Sequence, residues 1–104
     1  MTKDEAFKKL DSFRDLKQGW NTYNANPIDE RAIHGAMFLI NICPEILNHL
    51  EPTPTANGGI CFEGSDVEYM VEIDPSGLDV GLSLEGLPLT IAARIIKEHG
   101  LHAR

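Results

Sequence analysis

Between Ile60 and Leu84 apolar residues recur at every second position in three short runs, and turn chemistry marks each boundary. A period of two is the strand period, because successive Cβ atoms leave opposite faces of a pleated backbone. The boundaries are Asn57-Gly58-Gly59 before the first run, Gly64-Ser65 before the second and Asp74-Pro75-Ser76-Gly77 before the third. In the last of these Asp accepts from the backbone, Pro presets φ and Gly closes, the residue order of a type I turn. A meander of three antiparallel strands follows. Its apolar face takes Ile60, Phe62, Val67, Tyr69, Val71, Ile73, Leu78, Val80, Leu82 and Leu84. Cys61, Glu63, Glu68, Met70, Glu72, Asp74, Asp79, Gly81, Ser83 and Glu85 then share the opposite face.

An apolar sheet face needs a cover, and the flanking segments supply helices. Thr2-Lys3-Asp4-Glu5 has the spacing of a capping box, and Ala6, Phe7, Leu10, Phe13 and Leu16 follow at helical intervals until Gly19 offers a C-cap. A second helix is expected from about Asp29 to Cys43, stopped by Pro44 and apolar on nearly all sides. Ile46, Leu47 and Leu50 extend it by a further turn, after which Pro52 and Pro54 favour an extended connector. Pro88 opens a last helix with Leu89, Ile91, Ala92, Ile95 and Ile96 as its stripe and Gly100 as its stop. The expected fold is α+β, a two-layer sandwich in the order α-α-β-β-β-α, its three-stranded antiparallel meander packed on helices with an acidic outer face. With 104 residues the chain suits one domain, residues 1–104.

The charge is unevenly placed. Nine Lys and Arg face sixteen Asp and Glu, for a net charge of −7. No basic residue lies between Ala32 and Ala93, where Glu45, Glu51, Glu63, Asp66, Glu68, Glu72, Asp74, Asp79 and Glu85 stand alone. Such a field disfavours a direct grip on nucleic acid, which takes clustered Lys and Arg. It suits a basic protein or protein complex, whose groove an acidic plate can enter by imitating a phosphate backbone. No apolar run reaches membrane-spanning length and the first residues carry no signal-peptide core, so a cytoplasmic location is expected, with no membrane partner. Two cysteines, Cys43 and Cys61, suit a reducing compartment better than a disulfide scaffold.

Candidate sites are few. The acidic face offers Glu63, Glu68, Met70, Glu72, Asp74, Asp79 and Glu85, with Met70 and Cys61 as soft apolar groups among the carboxylates. A second candidate is the stretch from Gly19 to Pro27, where Trp20, Asn21 and Tyr23 form either a stacking loop or a packed connector. Neither His34, His49, His99 and His102 nor the two cysteines stand in metal-ligand spacing, and no calcium-loop motif is present. No metal, cofactor or catalytic residue is expected, and the chain reads as a non-enzyme.

Gly19-Trp20-Asn21-Thr22-Tyr23, with Ala25 and Pro27-Ile28, and Pro52-Thr53-Pro54-Thr55, with Gly58-Gly59-Ile60, resemble paired motifs of a group of small uncharacterised bacterial proteins. In that group the first motif precedes a helix and the second opens a β-meander. The resemblance runs from Gly19 to about Gly77 and implies no activity. In size and charge alone the chain also resembles small phage proteins that block host defence, the anti-CRISPR proteins among them. The expected function is that of an acidic interaction module or inhibitor that occludes a basic, nucleic-acid-handling protein. A structural homodimer, or a small-molecule binder or enzyme using Trp20 to Asn26, are the alternatives.

Overall fold

The computed structural model of the chain describes residues 1–64, 70–77 and 80–82. Helix α1 spans Lys3–Ser12, and its start is the expected capping box: the Thr2 hydroxyl accepts from the Glu5 N–H at 3.1 Å while Glu5 Oε1 accepts from the Thr2 N–H at 3.0 Å. The helix ends earlier than Gly19. Ser12 Oγ donates to the Lys9 carbonyl at 2.5 Å, Phe13–Asp15 tighten into a 3-10 turn, and Leu16 is extended. Hydroxyls that bond back to a helix carbonyl compete with the regular ladder.

Helix α2 spans Glu30–Ile42, with Asp29 as its N-cap, accepting from the Arg31 N–H at 2.9 Å. Ala32, Ile33, Ala36, Leu39 and Ile40 are buried. The helix is not sheathed all round, since Phe38 is 47% exposed. Pro44 ends it, and Pro44–Asn48 form a 3-10 turn that buries Ile46 and Leu47. Arg14 reaches Glu30 with its Nε and Nη2, at 2.9 and 2.6 Å, and so ties the end of α1 to the start of α2.

Among the described residues the sheet has four antiparallel strands in chain order: β1 (Glu51–Pro54), β2 (Ile60–Glu63), β3 (Val71–Ile73) and β4 (Val80–Leu82). Strands β2 to β4 are the expected meander. The Pro52–Pro54 segment is extended as expected, yet it is a paired strand rather than a connector, with Pro52 opposite Phe62 and Thr53 opposite Cys61. Proline fits there because Thr55 donates to Gly59 at 3.0 Å in the same register. Backbone directions alternate along a strand, so positions 53 and 51 face β2 while positions 52 and 54 face away, where no ladder donor is needed.

Ile60, Phe62, Val71 and Ile73 are buried and join Ala6, Leu10, Phe13, Ile33, Leu39 and Ile40 in one core. The helices thus cover one face of the sheet, the α+β arrangement expected. The turn between β3 and β4 is closed by the Gly77 N–H donating to the Asp74 carbonyl at 2.9 Å, with Gly77 at φ +74. The expected last helix from Pro88 lies outside the described residues, as do Val67, Glu68, Tyr69, Leu78, Asp79, Leu84 and Glu85. Among the described residues no helix is long and apolar enough to cross a membrane.

Candidate functional site

Alternation along the strands places Glu51, Thr53, Cys61, Glu63 and Glu72 on the face turned away from the helices. Glu51, Glu63 and Glu72 are exposed there, and Met70 is 36% exposed. Register brings Glu51 directly opposite Glu63 on β1 and β2, and Cys61 directly opposite Glu72 on β2 and β3. Asp74 differs from its neighbours: its Oδ1 accepts from the Ser76 N–H at 3.1 Å and the Ser76 hydroxyl at 2.6 Å, so it serves the turn.

Cys61 sits at the centre of this row yet is only 6% exposed. Burial pushes its thiol up to about 11, and the carboxylates of Glu63 and Glu72 push the same way. The thiol is therefore protonated and a poor nucleophile at neutral pH. Cys43 is buried at the C-terminal cap of α2, and neither cysteine is in a disulfide. Among the described residues no group of three or more His, Cys, Asp or Glu is placed to hold a metal ion.

Glu51 falls outside the expected site because its segment reads as a connector. It becomes a site residue through the β1–β2 pairing, and the hairpin signal lies in Asn57-Gly58 between the two runs. At this end of the sheet an open cleft of about 480 Å³ runs between the 3-10 turn and the β1–β2 ends, with Glu51 and Glu63 in its wall.

The Trp20 loop is a separate place. Trp20 packs against the core edge and its Nε1–H donates to the Asn26 carbonyl at 2.8 Å. Asn21 Oδ1 accepts from the N–H groups of Tyr23 at 2.9 Å and Ala25 at 3.3 Å. Tyr23 itself is 79% exposed, next to Thr22 at φ +66, a rare conformation for a β-branched residue. The loop is sewn to the β1–β2 turn: Asn26 donates to the Ala56 carbonyl at 2.8 Å and Asp29 to the Gly58 carbonyl at 2.9 Å. The two motifs are thus one piece of structure. Gly58, at φ +91, brings its backbone so near that an added Cβ would lie 2.9 Å from the Pro27 carbonyl oxygen.

No protein-family model, curated protein or solved structure matches the chain.

Proposed function

We propose that this chain is a non-enzymatic interaction module whose acidic sheet face docks on a basic protein surface, of the kind that handles nucleic acid, and occludes it. The observation that carries the reading is that Glu63 and Glu72 stand exposed on one face of a sheet whose strands contain no Lys or Arg. Glu63 also stands directly opposite Glu51 in the register, and like charges so placed cost a sheet stability that a cationic partner offsets. Exposed Met70 adds an adaptable apolar contact beside them. Glu68, Asp79 and Glu85 belong to the same expected surface.

Binding of this type is steered by charge, so its on-rate falls steeply as salt rises. The test is affinity capture from a cell extract on the wild-type chain and on the Glu63→Lys/Glu72→Lys variant, each across a salt series. A basic protein held at low salt by the wild type and released by the variant is the expected result. Equal retention on both, or no retention at low salt, overturns the reading.

A second reading rests on Tyr23. An exposed aromatic ring on a loop braced by Asn21 and Trp20 is a surface on which a flat ligand can stack. A ligand-dependent shift in the fluorescence of Trp20, the chain's one tryptophan, would favour it.

A further inference from the structure

We infer that Asn57 is a deamidation site held silent by the folded β1–β2 turn, so that opening of this hairpin, rather than exposure of the side chain, sets the rate of the reaction. The inference is independent of what the sheet face binds.

The chemistry is internal to the chain and takes only water as co-reactant. The Gly58 backbone nitrogen gives up its proton and attacks Asn57 Cγ. A C–N bond closes a cyclic imide, the bond from Cγ to the carboxamide nitrogen breaks, and that nitrogen leaves as ammonia with the proton. Water then opens the imide at one of its two carbonyls. Opening at Cγ leaves aspartate, and opening at the main-chain carbonyl leaves isoaspartate, with the chain rerouted through the side chain. Glycine suits the attacking position because no Cβ obstructs the approach, and among the chain's asparagines Asn57 alone is followed by glycine.

The turn opposes ring closure from three sides. The Gly58 N–H donates to the Thr55 carbonyl at 3.1 Å, which engages the proton that must leave. The Gly58 carbonyl accepts from the Asp29 N–H at 2.9 Å, and the residue is buried at φ +91 against Pro27, so its backbone cannot swing toward Cγ without breaking the seam to the Trp20 loop. Asn57 Oδ1 accepts from the Thr55 hydroxyl at 2.5 Å and the Gly59 N–H at 3.1 Å, fixing the carboxamide in an Asx turn over Gly59. The side chain is exposed, yet the nucleophile is locked.

The two products differ in what they allow afterwards. Aspartate keeps an oxygen for both donors. Isoaspartate inserts a methylene into the main chain just before Gly58, and the bonds from Gly58 to Thr55 and from Asp29 to Gly58 lose their register. A hairpin that opens and reacts by this route cannot close as before, so the modification is a lasting record of opening.

The test incubates the full chain at pH 8, folded or unfolded in guanidinium chloride, at one temperature. A glutamate-specific protease acting at acidic pH then releases Asn57 on a peptide ending at Glu63, and mass spectrometry reads amide against acid. The folded chain should react at least about tenfold more slowly, since reaction waits on local opening. Asn57→Gln should abolish the signal in both states. Thr55→Val removes the hydroxyl bond to Oδ1 and should narrow the ratio by about threefold, with circular dichroism confirming its fold. If that variant does not fold, deamidation of the wild type across low guanidinium concentrations must track amide exchange at Gly58. Equal rates in the folded and unfolded chain, or a faster folded rate, would overturn the inference. So would a folded Thr55→Val with the wild-type ratio, or deamidation that ignores Gly58 exchange.

Discussion

Gly35 of α2 and Gly77 of the β3–β4 turn meet backbone against backbone: a Cβ added to Gly35 would lie 2.8 Å from the Gly77 carbonyl oxygen. On the other side, a Cβ on Gly77 would overlap the Arg31 carbonyl. The turn is therefore seated on the helix through two residues without side chains. Gly77→Ala must bear both a positive φ and that overlap, and should lose about 2–4 kcal/mol of stability. Urea unfolding measures this. An unchanged midpoint would mean that the turn can lift off α2 freely.

The N-cap of α2 makes stability depend on pH. Hydrogen bonding from the Arg31 side chain, then from its backbone N–H, lowers Asp29 from 3.8 to about 2. The folded state therefore holds this proton less tightly than the unfolded chain. Its contribution is complete above about pH 4 and is lost as pH falls toward 2. Thermal unfolding of Asp29→Asn, which keeps a capping oxygen but cannot titrate, should show a shallower fall over that range. Identical slopes would remove Asp29 from the acid response.

Gly58→Ala should loosen the seam between the Trp20 loop and the β1–β2 turn, because φ +91 and the Pro27 carbonyl both oppose a side chain. A loss of about 1–3 kcal/mol is expected, with a red shift in Trp20 emission as the ring gains water. Trp20→Phe removes the bond to Asn26 and should cost about 1 kcal/mol. Wild-type stability in both variants would detach the two motifs from each other.

Cys61 should resist alkylation. With the thiol raised to about 11, iodoacetamide at pH 8 should react about a hundredfold more slowly than with an unfolded cysteine, and Cys43, 1% exposed, should be slower still. Mass spectrometry of native and denatured samples reads both sites. Equal rates in the two states would show that the outer face opens readily.

Much of this architecture is legible in the order of the amino acids alone. The capping box at Thr2, the N-cap at Asp29, the stop at Pro44 and the turn at Asp74 each have a local chemical cause, and each stands where that chemistry places it. The burial of Ile60, Phe62, Val71 and Ile73 follows from the period of two. What escapes is set by pairing between segments. Pro52 and Pro54 argue against a strand until the register turns their nitrogens outward, and only then does Glu51 stand beside Glu63. Gly19 has the composition of a helix stop, but at φ +79 its N–H instead donates to the Ala25 carbonyl and closes the Trp20 loop. Cys61 lies on the expected face, and nothing local foretells that it is covered.

Strand β1 ends the sheet on two prolines whose nitrogens point outward, and this bears on how the protein behaves in a crowd. An edge strand is ordinarily a template on which another chain can continue the ladder, and acidic proteins lean on mutual repulsion to prevent it. That repulsion fades as pH approaches about 4.9, where the charges balance. At that point β1 still offers no outward N–H from residues 52 or 54 to an incoming strand. The protection is written in covalent structure, so neither salt nor acid can screen it away.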